Sequence, residues 1–187
     1  MAYTLIQRQV ASNSTSIDFT NITTDYDEYL ITMTNLQPVT DGKEVYFQVD
    51  TGSNTSYNQT ITSNNYTAGQ NLGDVWQLLE QQNGQQSGTA FQKLAYGAEA
   101  QSYRAWMGHS GFLRLYDPSA GTFMKHYQSI MNAQYTGNGT LAQTYCIHWA
   151  SQGYFHTTTA LTRIRFQAET GNLYTGIFSM YGLGGES

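Results

Sequence analysis

The stretch spanning residues 160–183, ALTRIRFQAETGNLYTGIFSMYGL, restricts the fold more than any other part of the chain. In its first half Ile164, Phe166 and Ala168 alternate with Arg163, Arg165 and Gln167, the period-2 pattern of a strand with one apolar and one polar face. Glu169, Thr170, Gly171 and Asn172 then supply turn chemistry, because Gly and Asn both accept positive φ at little cost. In the second half Ile177, Ser179 and Tyr181 interleave with Phe178 and Met180, so large side chains fall on both faces. The segment predicts a closing hairpin whose last strand is covered on both sides. Phe178 and Met180 should face opposite to Ile177 and Tyr181, one set in the core and the other against a neighbouring element or subunit.

The same preference for sheet runs through the composition. Charged residues make up 11% of the 187 positions, against about 25% in an ordinary soluble domain. Ser, Thr, Asn, Gln and Gly take their place, which predicts a polar surface almost without charge. With 15 Tyr, 8 Phe and only 2 Pro, the apolar supply is aromatic and β-branched, which favours strands over helices. Candidate strands recur at 3–10, 16–19, 29–34, 44–50, 57–61, 89–96, 112–116, 123–131, 142–149, 161–168 and 177–181, with turn signals between them. Asp41-Gly42 is a hairpin signal between the third and fourth of these. The expectation is one all-β domain over residues 1–187, an antiparallel β-sandwich, with 70–110 as an insertion or loop region. One stretch breaks the rhythm: Asp74 reads as an N-cap, and Val75, Leu78 and Leu79 stand at helical spacing, so a short helix is expected over 74–82.

Several function classes are disfavoured. A net charge of −5 with eight scattered basic residues argues against nucleic acid, whose binding depends on clustered Lys and Arg. No apolar run reaches the roughly 18 residues of a membrane helix, and MAYTLIQRQV lacks the basic start and apolar block of a secretory signal. Six Asn-X-Ser/Thr patterns, among them Asn13-Ser14-Thr15 and Asn138-Gly139-Thr140, then read as chance products of an Asn- and Thr-rich chain. No cofactor or metal is expected, since His109, His126, His148 and His156 show no metal-pair spacing. His148 and His156 flank a presumed loop and could meet, but read better as structural histidines. Cys146 shares a strand face with His148, opposite Tyr145, Ile147 and Trp149. Without a third orienting group that pair makes no nucleophile and base, so Cys146 is expected as a small buried residue. The chain carries no constellation of an enzyme.

Binding leaves two sets of candidates. Tyr103, Arg104, Trp106 and His109 crowd amphipathic rings and polar groups into a segment of weak periodicity, the means by which sugars or proteins are recognised. Equally, Tyr103 and Trp106 could be core residues at the sandwich end. Arg163, Arg165, Phe178 and Met180 are candidates for an interface between copies of the chain.

The closing segment, with its Gly-Asn turn and Gly176-Ile177-Phe178-Ser179-Met180-Tyr181-Gly182-Leu183, resembles the C-terminal strand pair of small virion proteins and tail-fibre-type domains of tailed bacteriophages, common in marine phages. Tyr3-Thr4-Leu5-Ile6, Ser16-Ile17-Asp18-Phe19-Thr20-Asn21-Ile22 and Tyr29-Leu30-Ile31-Thr32-Met33 are similar to those domains' first strands. Phe47-Gln48-Val49-Asp50-Thr51-Gly52-Ser53-Asn54-Thr55-Ser56-Tyr57 matches their strand, Gly-Ser-Asn turn and aromatic. Nothing between 70 and 110 takes part. The resemblance implies a jelly-roll-like sandwich in a phage particle, with no catalytic residues to carry over. Expected partners are other copies of the chain, as a homotrimer, and other virion proteins of capsid or tail, with no nucleic acid and no membrane. The expected location is the virion, after synthesis in the host cytoplasm. Capsid decoration or a small tail accessory role is one form of this. The alternatives are a receptor-binding fibre tip, or a carbohydrate-binding module that meets a host surface glycan through exposed aromatics.

Overall fold

The computed structural model describes residues 2–40, 42–71, 77–82, 84–95, 108–136 and 144–184. These contain twelve strands and no helix: β1 (Thr4–Ser14), β2 (Ile17–Phe19), β3 (Glu28–Pro38), β4 (Val45–Thr51), β5 (Ile61–Asn71), β6 (Gln77–Gln82), β7 (Gln92–Lys93), β8 (His109–Tyr116), β9 (Lys125–Thr136), β10 (Thr144–Phe155), β11 (Leu161–Ala168) and β12 (Leu173–Leu183). They form an eight-stranded sheet, β1-β12-β3-β8-β9-β10-β5-β6, and a four-stranded sheet, β2-β11-β4-β7. Every pairing is antiparallel.

The order has a simple logic. β1 pairs with β12, β2 with β11, β3 with β8 and β4 with β7, so the pairs nest like the two arms of one long hairpin. Rolled up, the arms give two four-stranded sheets, β1-β12-β3-β8 and β2-β11-β4-β7. This is the jelly-roll winding of an antiparallel β-sandwich. The remaining strands are additions: β5 and β6 lie in the connection from β4 to β7, and β9 and β10 in the connection from β8 to β11. They pair with one another and widen the first sheet from four strands to eight.

The core lies between the sheets. Phe47 of β4 meets Tyr127 of β9 edge to face at 5.1 Å and Phe155 of β10 at 6.3 Å, while Phe166 of β11 meets Phe178 of β12 at 5.2 Å. Ile164, Phe166 and Ala168 are buried, and Arg163, Arg165 and Gln167 half-buried on the other face, as the alternation predicts. Phe178 and Met180 are fully buried, whereas Ile177 and Tyr181 face outward and are half covered. Burying rings of this size stabilises by about 2 to 3 kcal/mol each.

Four expectations are corrected. β11 and β12 do not form a hairpin: β11 pairs with β2 and β4, β12 with β1 and β3, so the Gly171 turn, at φ 74°, arches from one sheet to the other. The connection from β3 to β4 likewise changes sheet; Gly42 takes φ 70°, and Asp41 lies outside the described residues. In place of a helix over 74–82, Gln77–Gln82 is a strand aligned with β5 from Asn65↔Gln82 to Gln70↔Gln77. The open ladder of β5 offers more hydrogen bonds than one helical turn could make, which overrides the local spacing. The residues from Trp149 to Phe155 are not a loop but the continuous second half of β10.

Candidate functional site

Each sequence candidate has a definite place where it is described. Tyr103, Arg104 and Trp106 lie outside the described residues. His109 opens β8 opposite Leu36 and is 1% exposed, so it is a core residue; its burial lowers its pKa from 6.5 to about 4 and keeps it neutral near neutral pH. Phe178 and Met180 fill the core, and burial there removes them from any surface between copies. Cys146 is exposed rather than buried, because it and His148 take the outward positions of β10 while Ile147 and Trp149 point inward. Among the described residues no three His, Cys, Asp or Glu side chains gather as metal ligands, and no helix is long and apolar enough to cross a membrane.

Arg163 and Arg165 belong to an internal network on the outside of the four-stranded sheet. Arg165 donates to both carboxylate oxygens of Asp18, at 2.6 and 3.0 Å, and stacks 4.2 Å from the centre of the Tyr57 ring. The bonds to Asp18 raise the Arg165 pKa further, and burial, then the Asp18 charge, raise that of Tyr57. Arg163 donates to the Gly52 carbonyl at 3.0 Å. Beside them the fully buried Asp50 carboxylate accepts from the backbone N–H of Thr51 and Tyr57 and from the side-chain amides of Asn54 and Gln59, at 2.7 to 2.9 Å. One charge thus folds the whole loop 51–59 onto the sheet, including Tyr57 at φ 48°. The Gly-Ser-Asn-aromatic pattern is a loop-holding device, and its groups are spent on one another.

The open chemistry lies elsewhere, on the outer face of the widened sheet. The strand register sets two neighbouring rows across it. One row runs Tyr116↔His126↔Tyr154↔Thr62, from β8 to β5. The next runs Arg114↔Gln128↔Gln152↔Asn64. In the first row the His126 and Tyr154 rings are 5.9 Å apart, and Tyr154 stacks on His156 at 4.9 Å and 21°. His156 Nε2 in turn lies 2.8 Å from the Thr62 hydroxyl, which fixes the far end of the row. The rows are tied together where Tyr116 of the first donates its hydroxyl to Gln128 Oε1 of the second at 3.2 Å, and Gln81 of β6 donates to Asn64 Oδ1 at 3.2 Å.

Two clefts follow these rows. One, of about 420 Å³, is lined by Tyr116, His126, Gln128, Gln152 and Tyr154. Gly153 also lines it, and no side chain fits there: a Cβ would run into the Thr62 carbonyl, the Ser63 backbone and the buried Tyr127 ring. The other, of about 630 Å³, lies across β5 and β6 and is walled by Ser63, Asn64, Gln81, Gln82 and Gln86. Gln152 lines the first and its cross-strand partner Asn64 the second, so the clefts adjoin. Sequence reasoning passed over these residues because they come from five separate strands. Their only local signal is the alternation in 126–128 and 152–154, where every second residue is a ring or an amide.

Fold and face together make a jelly-roll β-sandwich with a broad outer sheet face of amides and amphipathic rings. No protein-family model, curated protein or solved structure matches the chain.

Proposed function

We propose that the chain is a non-enzymatic structural protein of a bacteriophage virion, mounted on the particle as a homo-oligomer, a trimer in the favoured form. The observation that carries this reading is the nested jelly-roll pairing, an architecture used by viral coat domains, together with the resemblance of the first strands and the closing segment to small phage virion domains. Capsid decoration and a small tail accessory role both fit. The surface supports self-association: β1 is an edge strand of eleven residues whose outer ladder is open, and its Leu5 and Val10 are 53% and 57% exposed. Long open edges that expose apolar side chains invite pairing between copies.

Light scattering of the full-length protein tests the reading. A stable trimer, or another closed oligomer, that Val10→Lys converts to monomer is expected. A protein that stays monomeric at high concentration and fails to label intact particles, with antibody against it seen by immunogold, would sink the proposal.

A further inference from the structure

The strands added to the jelly roll build a surface that the core fold does not need. The outward positions of β9, β10 and β5 whose side chains are described are His126, Gln128, Ile130, Asn132 and Gln134, then Cys146, His148, Ala150, Gln152 and Tyr154, then Thr62, Asn64, Tyr66, Ala68 and Gln70. None carries a carboxylate, an ammonium or a guanidinium. Adjacent strands are about 4.8 Å apart, so the track from Tyr116 on β8 to Gln81 on β6 crosses four spacings, roughly 19 Å.

We propose that this track binds a neutral polysaccharide laid across the strands. The chemistry of the walls selects that ligand. A sugar ring has apolar C–H faces and a rim of hydroxyls that both donate and accept. The Tyr154 and His156 pair, already stacked at 4.9 Å, presents a ring platform that needs little ordering on binding. Gln152 offers an amide donor and an acceptor, the complement of a hydroxyl, and Gln128 and Asn64, whose carbonyl oxygens already accept from Tyr116 and Gln81, keep amide hydrogens to donate. A chain with carboxylates or sulfates would find no Lys or Arg at the outward positions of these strands, Lys125 of β9 being buried, and Arg114 at the border of the track is held by Glu28 at 3.0 Å. A second copy of the protein would seek exposed apolar area, and Leu5 and Val10, which offer it, lie on β1 away from the two rows. The two adjoining clefts make the site longer than one sugar ring, so an extended chain is favoured over a monosaccharide. The site does not depend on where a particle carries the protein.

Affinity electrophoresis of the full-length protein through gels containing dextran, mannan, a β-glucan or agarose tests the assignment, with alginate and hyaluronate as acidic controls. At least one neutral polymer is expected to retard the protein, with a retardation insensitive to salt. Gln152→Ala alters an exposed side chain, and it and Tyr154→Ala are each expected to weaken binding at least tenfold. Tyr174→Ala, an exposed tyrosine on β12, should leave it unchanged. Circular dichroism shows whether each variant is folded, and Gln128→Ala serves as a further probe should Tyr154→Ala unfold. Retardation by none of the neutral polymers, retardation by the acidic ones alone, or binding that survives Gln152→Ala and Gln128→Ala overturns the proposal. So does a change of oligomeric state in those variants without glycan binding, which would make the track a contact between copies.

Discussion

Acid should weaken this protein in part through His109, an imidazole sealed in the core. The ring is 1% exposed at the start of β8, and burial lowers its pKa from 6.5 to about 4. Between those two values the unfolded chain binds a proton that the folded chain refuses, so stability is full above pH 6.5 and falls as the pH drops. At pH 5 the imbalance amounts to about 2 kcal/mol, and it approaches about 3 kcal/mol near pH 4. Urea denaturation at pH 7.5 and pH 5 measures it, with the wild type compared with His109→Gln. Carboxylates titrate in both proteins and cancel in the comparison. The wild type should lose about 2 kcal/mol more than the variant between the two pH values, at unchanged m-value. Equal losses in both proteins would refute the argument that a neutral imidazole is sealed in this core.

Three further outcomes follow from the packing. Asp50→Ala strips four bonds from loop 51–59 and leaves the buried Tyr57 N–H unpaired; a loss of at least ~3 kcal/mol is expected in thermal or urea denaturation. Gly153→Ala places a methyl against the Thr62 carbonyl and the Tyr127 ring, so it should destabilise by roughly 1 to 3 kcal/mol by the same measurements. Lys125 is buried and donates to the carbonyls of Ala120 and Phe123, holding a loop whose Phe123 and Met124 are exposed. Lys125→Met should free that loop, and limited chymotrypsin digestion should then cut at Phe123 several times faster than in the wild type.

Strands were legible where one face is buried and the other wet. Ile164, Phe166 and Ala168 gave β11 its place because the core demands every second residue. β5 was hidden for the opposite reason: in ITSNNYTAGQN Ser, Thr, Asn and Gln fill most positions on both faces, and beyond Ile61 it is a strand because β10 and β6 complete its ladder on either side. β6 looked helical because Leu79 stands four residues after Val75, yet Leu79 is 81% exposed on an edge and no core sets its period. Pairing was the larger gap. Alternation identifies a strand and says nothing about its partner, so a turn between sheets reads like a hairpin turn. The candidate face suffers most from this, since Tyr116, Gln128, Gln152 and Asn64 become neighbours only through the register of four strands. Tyr103, Arg104 and Trp106 drew notice through local crowding, which is the signal a single segment can carry.

The nested pairing also sets an order in time. Thr4 finds its partner in Gly182, and Val10 in Ile177, so β1 waits for β12, made more than 150 residues later, before its hydrogen bonds close. Contacts that far apart in sequence make for slow folding. Throughout synthesis β1 is an unsatisfied ribbon, able to pair with a neighbouring nascent chain as readily as with its own end. When many copies are made at once the chain must win that competition by folding after release, and its yield should fall more steeply with expression rate than with temperature.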